Sequence, residues 1–245
     1  MRKSNSVPQE HTKRSLSAFM NALSERGPHP ISRKRQISNQ HHRIFSIKAG
    51  NRNVVAESQL EAQAIFCAEG DPEIVELCEQ PLRIHGTYGK SKYVTLDLSV
   101  KKRCGAEIIY EIKPTSRLVE HEDGHFAPAN WKLIEAWSEA NGHDIRVMTD
   151  EWLFQHKTRV LNWKHLLGYV RHFRVNRDPD LETEVIGIIT NNPDISMIPL
   201  LDHLRTADEQ LITSCVASLL HEGKITANLD SHTFTRNSGL KHHVI

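Results

Sequence analysis

The sequence predicts an α/β protein, a mixed sheet covered by helices and followed by a helical unit that closes on a hairpin. Three observations carry this. Two neighbouring stretches, 93–100 and 106–114, alternate with period two, the signature of paired strands. Helical patterns flank them at 57–69 and 128–141. From about residue 151 onward the pattern is helical almost to the end.

Taken in order, residues 1–40 form a polar, basic arm, broken by Gly27-Pro28-His29-Pro30. Order in the arm is expected to be weak, apart from a short helix at 15–23 that places Leu16, Phe19, Met20 and Leu23 at helical spacing. Residues 42–48 alternate loosely, Ala49-Gly50-Asn51 is turn-like, and 53–55 returns as a strand. Residues 57–69 read as a helix with Leu60, Ala64 and Cys67 in one apolar row. Ser58 and Glu61 form a capping box at its start. That role alone accounts for Glu61. Gly70 and Pro72 end the helix, and strands follow at 73–77 and, after Glu79-Gln80-Pro81, through Ile84. In the hairpin, Val94, Leu96, Leu98 and Val100 share one face of the first arm. Ile108, Tyr110 and Ile112 share a face of the second, with Glu111 and Lys113 opposite. A turn near Arg103 or Cys104 puts Asp97 across from Ile109 or Glu111, and either register gathers Asp97, Glu111 and Lys113 on one face. Pro128 opens the next helix and Gly142 closes it. Trp131, Ile134 and Trp137 then face the core, with stacking on DNA as the alternative. A strand at 144–148 completes a sheet domain spanning 41–152.

Residues 153–245 read as a second domain. Helices are expected over 156–175, 181–190, 196–204 and 208–222, the last with Leu211, Cys215 and Leu219 in a row and Gly223 as its stop. Two strands, 224–228 and 232–236, follow. Three helices and a hairpin is the order of a winged helix-turn-helix. The third helix, however, holds Asp208, Glu209 and Glu222 and no Lys or Arg, whereas a helix that reads DNA is basic or amide-rich. The unit is therefore read as docking on protein rather than reading bases.

Composition narrows the function classes. The 245 residues hold 31 basic and 30 acidic side chains, so the whole is nearly neutral. Residues 1–52 nonetheless hold eleven Lys and Arg against Glu10 and Glu25 alone. A basic arm on a neutral body suits a polyanion, most often nucleic acid; the plain alternative is a solvated tail. Cys67, Cys78, Cys104 and Cys215 are widely spaced, which argues against zinc ribbons and a disulfide framework. The sixteen histidines show no ligand-like spacing. No apolar run is long enough to span a bilayer, and the N-terminus has no apolar signal region, so a cytoplasmic, reducing setting is expected.

The hairpin carries the chemistry. Hydrolysis of a phosphodiester needs an activated water and a neutralised leaving oxygen. Mg²⁺ serves both ends and prefers carboxylate oxygens, with Mn²⁺ as the natural substitute. Asp97 and Glu111 are the candidate ligands, and Glu61 joins them if its helix packs beside the sheet edge. Lys113 is a point charge that could orient the water, favour its deprotonation and stabilise developing negative charge. The bland alternative is a surface ion pair. A second Glu-x-Lys, Glu222-Gly-Lys224, sits at a helix end with no paired acid and is given no role.

The stretches His42-Arg-Ile-Phe-Ser-Ile-Lys48, Ser58-Gln-Leu-Glu61, Glu79-Gln-Pro81, Thr95-Leu-Asp97 and Glu111-Ile-Lys113-Pro114 together resemble the TnsA endonuclease family of heteromeric, Tn-seven-like transposases. The resemblance covers about residues 42–150 and continues more weakly into the helical part, where such proteins also carry a winged-helix-like region. It implies a restriction-endonuclease-like fold that cuts the 5′ strands at transposon ends, beside a TnsB-like transposase subunit that handles the 3′ strands. It also implies docking of the C-terminal region on a TnsC-like AAA+ ATPase regulator in a bacterial cytoplasm. Carried over by residue, the acid of the first helix falls on Glu61 rather than Glu57, the central aspartate on Asp97, the acid-or-amide position on Glu111 and the lysine on Lys113. Leu96 stands where the family commonly has proline. Two other readings stay open, a DNA-associated adaptor without catalysis and a stand-alone nuclease of the same fold.

Overall fold

The structure, a computed structural model, describes residues 24–26, 28, 41–88 and 91–243. The helix expected at 15–23 and nearly all of the arm lie outside these residues. Strand β1 (Ser24–Arg26) is the described part of the arm, and it pairs with a strand of the body.

Strands β2 (His42–Ser46) and β3 (Arg52–Ala56) form an antiparallel hairpin in which Ile44 faces Val54. Its turn places Gly50 and Asn51 at positive φ, which glycine and asparagine tolerate best. Helix α1 (Gln59–Glu69) follows, capped by Ser58, whose side chain accepts from the Glu61 N–H. Strands β4 (Ile74–Glu79), β5 (Leu82–Tyr88), β6 (Ser91–Thr95), β7 (Leu98–Lys102) and β8 (Glu107–Lys113) come next. After a short hairpin of β9 (Val119–Glu120) and β10 (Phe126–Ala127), helix α2 (Trp131–Asn141) leads into β11 (Ile145–Thr149). Gly142 ends α2 in the left-handed conformation. Trp131, Ile134 and Trp137 are buried in the core, as their spacing predicts.

The central sheet is mixed, in the order β11-β8-β7-β4. Strand β11 runs parallel to β8, and the other pairs are antiparallel. A separate antiparallel sheet has the order β1-β5-β6. This corrects the expected hairpin. Its first arm is not one strand over 93–100: β6 belongs to one sheet and β7 to the other, and Leu96 and Asp97 form the joint. The Leu96 N–H donates to the Leu82 carbonyl on one side, and the Asp97 N–H to the Tyr110 carbonyl on the other. Alternation breaks for the same reason. Leu96 packs with Leu82, Ile84, Ile109 and Trp137, whereas Leu98 and Val100 pack with Ile108, Ile112 and helix α1.

Helices α3 (Asp150–Gln155), α4 (Lys157–Val175), α5 (Pro179–Asn191), α6 (Met197–His203) and α7 (Glu209–Glu222) follow, making seven α-helices among the described residues. Strands β12 (Ile225–Thr226) and β13 (Lys241–His242) then pair antiparallel. The expected wing is corrected here. Residues 232–236 are not a strand, and the partner of β12 lies further on. Asn162 of α4 explains why: its amide nitrogen donates to the Leu229 and His232 carbonyls, and its oxygen accepts from the Phe234 N–H. Backbone groups held by that side chain cannot enter a ladder. Residues 236–240 instead lie along the start of α6, where the Ile198 N–H reaches the Arg236 carbonyl and the Met197 N–H the Ser238 carbonyl.

One apolar core runs through both parts of the chain, from Ile44 and Ile65 to Trp163, Leu219 and Leu240. Helix α4 lies so close to the end of α1 that a methyl group on Gly70 would overlap the Trp163 ring. Buried polar groups cross the same boundary. Glu69, fully buried, accepts from Ser46 Oγ at 2.5 Å and from the Lys48 N–H at 3.2 Å, and pairs with His221 Nε2 of α7 at 2.7 Å. Among the described residues no helix is long and apolar enough to cross a membrane, and no disulfide joins any of the four cysteines.

Candidate active site

The three hairpin residues come together. The register of β7 with β8 sets Leu98 across from Tyr110, so Asp97 at the joint arrives beside Glu111. Lys113 and Glu111 project from the same side of β8, two residues apart. The Lys113 ammonium lies between the carboxylates, 2.8 Å from Glu111 Oε1 and 3.1 Å from Asp97 Oδ2. Asp97 Oδ2 also accepts from the Ile112 N–H at 2.7 Å, which fixes its orientation. Glu111 is 4 % exposed, and its Oε2 is buried without a hydrogen-bond partner.

Glu61 reaches the site from α1 and serves as a cap as well. Its Oε2 accepts from the Glu57 N–H at 2.8 Å and its Oε1 from Ser58 Oγ at 2.9 Å. The capping box read from the sequence is thus present, and it holds the carboxylate at the edge of the site rather than away from it. Burial raises the Glu61 pKa to about 7, and the negative charge of Asp97 adds to the rise. Glu111 goes further, to about 8, through burial first and then Asp97. Asp97 is itself raised by burial, against the pull of Lys113. Burial opposes the charge on Lys113, but Asp97 and Glu111 outweigh it, so its pKa is raised and the ammonium persists.

Carboxylates here outnumber the single ammonium, and the balance suits a further cation. Among the described residues, no group of three or more His, Cys, Asp or Glu stands in an arrangement that could hold a metal ion as it is. The Lys113 ammonium occupies the space between Asp97 and Glu111. The donor set nonetheless fits a hard divalent cation: all the donors are carboxylate oxygens, one of them a buried oxygen without a partner, and burial and mutual repulsion raise their pKa values, a penalty that a bound cation would relieve.

Two residues beside the site were given no role in the sequence reading. Glu57 is buried, and its charge contributes to raising both Glu61 and Asp97. Gln80 is buried between β4 and β5; its Nε2 donates to Glu57 Oε1 at 2.7 Å and its N–H to the Asp97 carbonyl at 2.9 Å. Gln80 also has φ +44°, left-handed backbone in a non-glycine residue directly before Pro81. Such backbone costs on the order of 1–3 kcal/mol and concentrates at functional sites. The sequence signal was there as Glu79-Gln80-Pro81, without anything to say where the amide points.

The other Glu-x-Lys behaves as expected of a surface pair: Lys224 bonds Glu222 at 2.7 Å at the end of α7. No family model matches this chain, and no curated protein matches it.

Proposed function

We propose that the protein is a metal-dependent DNA endonuclease that hydrolyses phosphodiester bonds at Glu61, Asp97, Glu111 and Lys113. The observation that carries this reading is the Lys113 ammonium bonded to two carboxylates, one of which keeps a buried, unpartnered oxygen. A structural ion pair has no need of a third and fourth carboxylate beside it, since each added charge costs desolvation and repulsion. The element order α1-β4-β7-β8-α2-β11 around a four-stranded mixed sheet supports a restriction-endonuclease-like core.

Asp97 and Glu111, with Glu61 beside them, would hold Mg²⁺ or Mn²⁺. The bound ion supplies a nucleophilic water and neutralises the leaving oxygen. Asp97 is oriented for this by the Ile112 N–H, and Glu61 by its cap. Lys113 stays protonated in this setting, so it acts as a fixed positive charge that orients the attacking water and stabilises negative charge on the phosphate, not as the base. By the family resemblance the substrate is DNA at transposon ends, cut on the 5′ strands. The partners are a TnsB-like transposase subunit and a TnsC-like AAA+ ATPase, working in a bacterial cytoplasm. The helical C-terminal part, which the resemblance makes winged-helix-like, is the docking unit for the ATPase; its α7 lacks Lys and Arg, which favours a protein contact over base reading.

Asp97→Ala tests the reading. Nicking of supercoiled DNA with Mg²⁺ or Mn²⁺, with and without a transposase partner, should fall by more than about 100-fold, beyond the 10–100-fold typical of outer-shell changes. The melting temperature should stay close to wild type. A variant that cuts normally overturns the proposal. Strong cutting by the wild-type protein alone favours a stand-alone nuclease over a subunit of a complex.

A further inference from the structure

Gln80 touches both halves of the site. Its side chain holds Glu57 at the entrance to α1, and its main chain holds the joint at Asp97. Glu57 in turn donates its N–H to Glu61. The two elements Gln80 connects both carry carboxylates, Glu57 and Glu61 on one side and Asp97 on the other, and their charges act on one another. The residue that bridges them is neutral. A Lys or Arg in its place would cancel charge that a divalent cation needs, whereas a carboxamide orients Glu57 and leaves the site's charge intact. Gln80 makes both contacts from left-handed backbone.

We propose that Gln80 is a positioning residue that holds Glu57 as a fourth carboxylate of the ion site and fixes the start of α1 against Asp97. This rests on the reading of the site as ion-dependent. Glu57 then stands beside Glu61 and Asp97 as a further carboxylate available to the ion, and Gln80 sets its orientation.

The test is Mn²⁺ binding by the full-length protein, followed through the electron paramagnetic resonance signal of the free ion. Gln80→Gly keeps the left-handed backbone and removes the amide. It should weaken Mn²⁺ binding roughly 10–100-fold, the range for outer-shell partners, with the melting temperature within about 3 °C of wild type. Glu57→Gln should weaken binding at least as much, and the double variant should be no weaker than the weaker single, because Gln80 acts through Glu57. Wild-type affinity in Gln80→Gly, or in Glu57→Gln if the glycine variant fails to fold, overturns the inference. Fully additive losses overturn it as well. Asp97→Ala separates the two levels: if it loses Mn²⁺ binding while Gln80→Gly keeps it, only this inference fails. If wild type binds no Mn²⁺, or Asp97→Ala binds it normally, the ion site and the inference fail together.

Discussion

Glu111 sits with one oxygen on Lys113 and the other on nothing, in a place nearly closed to water. Its pKa near 8 and that of Glu61 near 7 lie above the unfolded carboxyl value, so the folded protein binds more protons than the unfolded chain between those limits. Stability must therefore fall as pH rises from about 4.5 to 8, and a divalent cation should flatten that slope. Glu111→Gln removes the largest part of it. The variant should be more stable than wild type at pH 8 by about 1–2 kcal/mol in the absence of divalent ions, with little difference at pH 5, as read from urea unfolding at the two pH values. It should also lose cleavage. Asp97, Glu111 and Lys113 were legible in the sequence because strand geometry alone puts residues two apart on one side and opposite residues together. Glu57 and Gln80 were not. Glu57 is one place outside the capping box, and Gln80 depends on a left-handed turn before proline, which local preference disfavours.

At the scale of elements, α1 packs against β2, β3, β4, β7 and β8 and against α3 and α4. Lys48 closes its C-terminal end: the buried ammonium donates to the carbonyls of Ala68, Glu69 and Asp71 at 2.9, 2.8 and 2.5 Å. Burial lowers its pKa to about 8, with Glu69 and Asp71 resisting. Lys48→Met leaves helix-end carbonyls without donors and should cost about 2–4 kcal/mol in chemical denaturation. His221 and Glu69 make the same end sensitive to acid. Burial lowers the His221 pKa despite Glu69, while Glu69 stays below the ordinary value because His221 and Ser46 outweigh its own burial. The unfolded chain then takes up protons first, so stability from this pair falls as pH drops below about 6.5 and again below 4.5. In His221→Gln, the change in unfolding free energy between pH 7 and pH 5.5 should be smaller than in wild type. Helices form as their sequence predicts where caps and periodicity agree, as at Ser58, Gly142 and Gly223. The two predicted strands that the structure does not form share one cause. At the 93–100 arm and at 232–236, distant groups capture the backbone, Leu82 in the first case and Asn162 in the second. Period-two alternation carries no information about such partners.

Across the whole molecule, the sheet part and the helical part read as two domains divided near residue 152, yet a single core runs through both. Ile65, Ala68 and Leu77 are buried in the same cluster as Trp163, Leu166 and Val216. A fragment ending at residue 152 would expose the apolar surface that α4 and α7 cover. It should fail to give a cooperative thermal transition or dispersed amide resonances, and should bind hydrophobic dyes, whereas the full chain should melt in a single step. The composition change at 151 was visible in the sequence as a shift from strand to helix. The shared core was not, because burial against a distant helix leaves the same local pattern as burial against a sheet.

The close approach of Gly70 to Trp163, together with the Glu69–His221 pair, bears on how such a chain can be inherited. A crossover between β11 and α4, in the segment that holds α3, separates residues 69 and 70 from residues 163 and 221. A recombinant that brings in helical sequence from elsewhere meets a glycine with no ring to fill it, or a buried glutamate with no imidazole. Exchange of the C-terminal part therefore succeeds only when both pairs change together, and the swap most easily tolerated is one that takes α1 along with the helices it packs against.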